Sequence, residues 1–144
     1  MIKSLLDKLS GYAPVLLRVG VGLIFLFHGW DKLHGISGVG AFFGSVGIPF
    51  PHAAAWLVAC IEFFGGLLVV LGVYTRVFTS LMVIIMLVVI TVVKWSKGLH
   101  HGYELEFLLL LSSFSLVLLG DGPFSLGKFL PGGNSIAENE TIED

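Results

Sequence analysis

AAAWLVACIEFFGGLLVVLG, residues 53–72, is an unbroken run of twenty residues with one charge, Glu62, near its centre. About twenty apolar residues are what a helix needs to cross the hydrocarbon layer of a bilayer. A second run, Tyr12 to Trp30, carries a single charge of opposite sign, Arg18. A charge near bilayer depth costs roughly 2.5–3.5 kcal/mol or more unless it is paired or hydrated. Two such residues therefore point to a polar interior shared between membrane helices. On depth alone Arg18 and Glu62 are expected to pair: at about 1.5 Å per residue they differ by roughly 6 Å, which an arginine side chain spans.

Working outward from these runs gives an all-α integral membrane four-helix bundle. Its helices are expected at about Tyr12–Lys32, Ala53–Gly72, Arg76–Trp95 and Tyr103–Leu119. Val73-Tyr74-Thr75 is short enough to make the middle two a tight hairpin, with Thr75 as N-cap. A short amphipathic helix, Ser4–Leu9, precedes the first span. The first loop, Leu33 to His52, is glycine-rich. Its Val39–Val46 stretch reads as a short helix, partly re-entrant or interfacial. After Gly120 the composition turns to Gly, Pro, Ser, Asn and Glu, as in a tail. The domain is expected over residues 1–130, with 131–144 a disordered acidic tail. Tyr12 onward reads as a retained helix, because no small-residue cleavage site follows its apolar stretch.

Composition agrees. Hydrophobic residues make up 56% and charged residues 12% of 144, with a mean hydropathy of +0.95; soluble domains carry about 25% charged residues. The net charge of −2 comes from Glu138, Glu140, Glu143 and Asp144. The rest is net positive, without the basic stripe a nucleic acid would need. Cys60 is the single cysteine, so dithiol chemistry would belong to a partner. There is no phosphate loop, HExxH, CxxC or GxSxG.

Arg18, Gly22, Phe25 and Gly29 share one helical stripe, and Ala55, Ala59, Glu62 and Gly66 another. Small residues at those positions let membrane helices approach closely, so both charges are expected to face inward. A second polar cluster gathers at the other end of the first helix, where Lys32 and Glu106 form the candidate pair; Lys94 reads as a lysine reaching for headgroups. All five histidines and all three tryptophans fall on that same side. The tryptophans suit the headgroup level, and the histidines read as hydrated interfacial residues in preference to metal ligands. Lys3, Lys8, Arg76 and Lys128 on the opposite side outnumber Lys32, Lys94 and Lys97, which favours cytoplasmic termini.

LLRVGVGLIFLFHGWDKL, VGIPFP, IEFFGGLLVVLGVYTR, GYELEF and LLGDGPFSLGKFL occur in that order over about Val15 to Leu130. This ordered set resembles the DoxX family of small bacterial membrane proteins. The family often closes with a Ser-hydrophobic-Asp triplet, and here Gly127 follows Ser125-Leu126. The resemblance implies a multi-pass protein of the bacterial inner (plasma) membrane, with relatives among thiosulfate:quinone oxidoreductase subunits and membrane partners of soluble oxidoreductases. It places Arg18, Lys32, Glu62 and Arg76 among recurring polar positions without assigning catalytic roles, and leaves open whether the chain is itself an enzyme.

The reading at this stage is an accessory subunit of a membrane redox system, with a quinone as candidate ligand and no cofactor in the chain itself. Arg18, Glu62, Lys32, Glu106, Phe25, Phe63 and Phe64 are its candidate binding residues, since a quinone needs an apolar slot and a few hydrogen-bonding groups. Two alternatives are a non-catalytic anchor that recruits a soluble oxidoreductase and a small-solute or proton conductor. The lipid bilayer is the one partner the composition requires; oligomeric state is left open.

Overall fold

The computed structural model describes residues 2–131. The disordered tail expected at 131–144 therefore falls, from Gly132 onward, outside the described residues. Among the described residues the chain is helical throughout its ordered elements: α1 (Ile2–Ser10), α2 (Ala13–His34), α3 (Ile36–Ser45), α4 (Pro51–Leu71), α5 (Thr75–Val88) and α6 (Glu104–Leu119). Beyond Val88, α5 widens into a π-helical turn, Val89–Lys94, and ends in a 3-10 turn, Trp95–Lys97. With these turns it becomes a 23-residue span; the other three spans are Ala13–His34, Pro51–Leu71 and Leu99–Leu119. Each is about 30 Å or more long at 1.5 Å per residue, enough for the hydrocarbon layer.

The outward surface is that of a membrane protein. Leu16, Phe27, Leu57, Ile84, Leu108 and Leu118 are all more than half exposed. A soluble domain rarely leaves so much contiguous apolar surface in water. Inside, Val21, Phe25, Val69, Met82, Leu109 and Leu116 form one core among α2, α4, α5 and α6.

Glycine sets how the helices register. A Cβ at Gly22 would lie 2.7 Å from the Gly66 carbonyl oxygen, and one at Gly29 would lie 2.3 Å from the Phe63 backbone nitrogen. α2 and α4 thus touch backbone to backbone, as small residues allow in membranes. Both predicted stripes face inward, and Arg18, Phe25, Ala55, Ala59 and Glu62 are all buried. α3 turns back from α2 and lies along the start of α4, where Gly40 makes room for the His52 ring.

The α4–α5 hairpin is as tight as expected, but its cap differs. Gly72 takes the left-handed conformation, φ +70°, and α4 closes with Gly72 N–H donating to Val69 O and Val73 N–H to Leu68 O. Thr75 is not the N-cap. It is the first residue of α5, and its backbone N–H donates 2.8 Å to Asp121 Oδ1, so the cap is supplied from beyond α6.

Residues 121–131 are likewise not a loose tail. Leu126 N–H donates to Leu71 O and Gly127 N–H to Gly72 O. Ser125 is buried, and Tyr12 stacks on Phe124 at 5.7 Å. A Cβ at Gly127 would fall 2.8 Å from Asp121 Oδ2. Asp121 therefore fills the space a side chain at 127 would need, which accounts for the glycine there.

Candidate functional site

α4 and α5 are close at their joined end, where a Cβ at Gly65 would meet the Phe78 ring at 2.9 Å. Toward the opposite end they part. The space left among α2, α3, α4, α5 and α6 is a cavity of about 800 Å³. That is within the range of small-molecule pockets. Its walls are overwhelmingly apolar. Leu57 of α4 and Ile84 of α5 line it and are 62% and 57% exposed.

Its polar side chains are two ion pairs together with His28 and Lys97. Lys32 Nζ of α2 donates to Glu62 Oε2 of α4, and Lys94 Nζ at the end of the π turn donates to Glu106 Oε1 of α6. The carboxylates are the deeper partners. Side-chain exposure is 2% for Glu62 and 14% for Glu106, against 24% for Lys32 and 29% for Lys94. All four residues line the cavity, with Phe25 and His28 nearby.

These pairings correct two expectations. Glu62 is held by Lys32 and not by Arg18, and Glu106 by Lys94 and not by Lys32. The reason is register. Gly29 packs on the backbone of Glu62 and Phe63, which brings Lys32, one turn further, to the carboxylate. Arg18 lies eleven residues before Gly29 on α2, about 16 Å along the axis. Its guanidinium instead reaches the far end of the bundle, donating from Nη1 to Asp121 O and from Nη2 to Phe124 O at 3.2 Å. Carbonyls take two of its donors where a carboxylate was expected, and its buried Nε has no partner among the described residues.

Phe25 is a cavity residue, almost fully buried. Phe63 and Phe64 are not. Phe63 sits with Trp30 in a separate outer groove, and Phe64 is 53% exposed on the lipid side. On α4 both follow Glu62 and so are turned about 100° and 200° away from it. Lys94, Lys97 and His28 are cavity residues that spacing missed, and Lys94 is the one that pairs with a cavity carboxylate. In a regular helix it would lie away from the α5 stripe facing the cavity, and the π turn that brings it round leaves no mark in composition. Of the histidines, His28 lines the cavity, and His100 and His101 lie against each other with ring centroids 3.8 Å apart. Among the described residues no three His, Cys, Asp or Glu side chains come together as metal ligands would.

A fold of four spans around a cavity with paired charges can now be set beside known proteins. The DoxX family profile matches residues 13–95, more than half of the chain. The chain belongs to the DoxX family. It is 38% identical over 125 residues to the Bacillus subtilis protein named "Putative oxidoreductase CatD", an alignment covering 87% of this chain and 92% of that protein. It is 39% identical over 66 residues to the Escherichia coli "Inner membrane protein YphA", covering 44% of this chain and 47% of that one. No solved structure matches. The DoxX match holds α2, α3, α4 and the α5 span through the π turn, and so includes Lys32, Glu62 and Lys94; Glu106 lies beyond it.

Proposed function

We propose that this DoxX protein is the membrane-embedded part of a redox system and that its cavity takes the headgroup of a lipid-soluble quinone. The carrying observation is the apolar cavity of about 800 Å³, with exposed residues of α4 and α5 and the Lys32–Glu62 pair in its wall. An apolar ring enters from the lipid phase without crossing water. Lysine ammonium groups on the wall then offer hydrogen bonds to a carbonyl oxygen, and such charge-assisted bonds are about twice as strong as neutral ones. The similarity to a protein named as an oxidoreductase supports the redox assignment, and that to an inner-membrane protein supports placement in the bacterial inner membrane. Electrons come from a soluble oxidoreductase docking on the aqueous face. The apolar core made by Val21, Phe25, Val69, Met82 and Leu116 separates the cavity from the Arg18 end and disfavours a conducting path.

The test is a lipid extract of protein purified gently from native membranes. Quinone should be present in stoichiometric excess over an unrelated four-span protein and fall at least tenfold in the double variant Lys32→Met, Glu62→Leu, which removes both charges together. A soluble enzyme captured with the protein, and no quinone in either extract, would leave the anchor reading in its place.

A further inference from the structure

The end of the bundle away from the cavity exposes two apolar surfaces among the described residues. The first is α1, IKSLLDKLS, which has no buried side chain. At about 100° per residue, Ile2, Leu5, Leu6 and Leu9 share an arc of roughly 100°. Lys3 and Lys8 stand about 60° beyond its two edges, and Ser4 and Asp7 occupy the opposite face. The second surface is the return segment, where Phe124, Leu126 and Phe129 are half or more exposed. Tyr12 joins the two by stacking on Phe124 at 5.7 Å.

The level of these surfaces is fixed by the spans. Gly11 and Tyr12 alone separate α1 from α2, whose span begins at Ala13. Such a link reaches about 10 Å at most, and the Tyr12 N–H, donating to Leu9 O at 2.9 Å, keeps it turned in. The return segment is held as closely, by the bonds of Leu126 and Gly127 to the end of α4. Both surfaces therefore sit where the spans leave the hydrocarbon. We propose that α1 and the return segment form one phospholipid-binding surface at the headgroup layer of the protein's own membrane. The apolar face of α1, with Phe124, Leu126 and Phe129, rests on the upper acyl chains. Lys3 and Lys8 reach out along the two flanks to lipid phosphates, their stems lying on apolar surface and their charges in the wet layer. Neither lysine is in an ion pair among the described residues. Tyr12 and Tyr74, 45% and 50% exposed at the same end, suit that layer too. This surface is independent of whatever ligand the cavity takes.

The full chain in phospholipid nanodiscs tests this, with Cys60→Ala and one new cysteine carrying an NBD fluorophore. Placed by Leu6→Cys or Phe129→Cys, the label should emit to the blue of the same label placed by Ser4→Cys. It should also be quenched by spin-labelled acyl chains, whereas the Ser4→Cys label is quenched by iodide from the water. A Leu6→Cys label as open to iodide as the Ser4→Cys label overturns the proposal. So does protection of the Leu6→Cys and Phe129→Cys labels from both quenchers, the result expected if a protein or a second copy covered the surface. The phosphate contact is read separately with Lys3→Gln plus Lys8→Gln, which alters no apolar contact. In nanodiscs this change should raise iodide access to the Leu6→Cys label about threefold. In maltoside micelles, which carry no phosphate, it should have little effect. An equal effect in both media would assign the lysines to this chain's own acids, Glu138, Glu140, Glu143 and Asp144, and overturn the phosphate contact. No effect in either medium overturns it as well.

Discussion

Lys32→Met is the substitution that tests the register of the bundle most directly. Glu62 is 2% exposed and its charge is matched by Lys32 alone among the ion pairs formed by the described residues. Removing one partner of a buried pair leaves the other uncompensated, a loss of about 3–5 kcal/mol. Lys32 keeps 24% of its side chain exposed, so water screens part of the interaction and the lower end, about 3 kcal/mol, is expected. Adding Glu62→Leu should recover most of it, since an apolar pair of similar size often does as well as a buried ion pair. The assay is a double-mutant cycle on thermal stability in detergent, with the rise in Cys60 reactivity reporting unfolding. Arg18→Leu combined with Glu62→Leu supplies the contrast. The two groups are in different clusters, so their effects should add within about 0.5 kcal/mol. A coupling of 1.5 kcal/mol or more between Arg18 and Glu62, with none between Lys32 and Glu62, would refute the register set by Gly29 and the site built on it.

Asp121→Ala should cost about 1 kcal/mol through the lost cap on α5, and Asp121→Asn clearly less, read by the same thermal assay. Gly29→Ala should destabilise by about 1–3 kcal/mol because the added methyl meets Phe63 backbone; Gly38→Ala, with nothing within 4 Å, should be near neutral. Reporter fusions after Lys128 and within Gly98–Gly102 should place the first in the cytoplasm and the second outside, as the lysine and arginine bias predicts; the reverse result would sink that orientation.

The sequence was most legible where physics acts on single helices. Length and hydropathy located the four spans to within a few residues, and the small-residue stripes correctly turned Arg18, Phe25 and Glu62 inward. It was least legible where two helices had to be set against each other. Depth measured from each helix's own end put Arg18 near the level of Glu62, but α2 and α4 are fixed by the contacts of Gly22 and Gly29, which displace that estimate by about two turns. Composition also misled after Gly120. Glycine and proline there build a compact return held by backbone hydrogen bonds, a use that is compositionally identical to a loose end. Phe63 and Phe64 were grouped with Glu62 by adjacency, although neighbours on a helix point in different directions.

The segment that returns over the Arg18 end ties together parts that are distant along the chain. Arg18 of α2 grips the carbonyls of Asp121 and Phe124, Asp121 holds the first turn of α5, residues 126 and 127 bond to the end of α4, and Arg76 donates to Leu118 of α6 at 3.3 Å. All four spans are pinned there. The bundle is built like a clothes-peg, held at one end, with the ion-paired cavity between its jaws. On the proposed function, a widening that admits the guest is expected as a small angular opening of α4 from α5 about the Gly72 turn, with the pinned end barely moving. Changes that loosen the spring, such as a shortened side chain at Arg18, would speed both entry and escape of the guest without touching a single residue that contacts it.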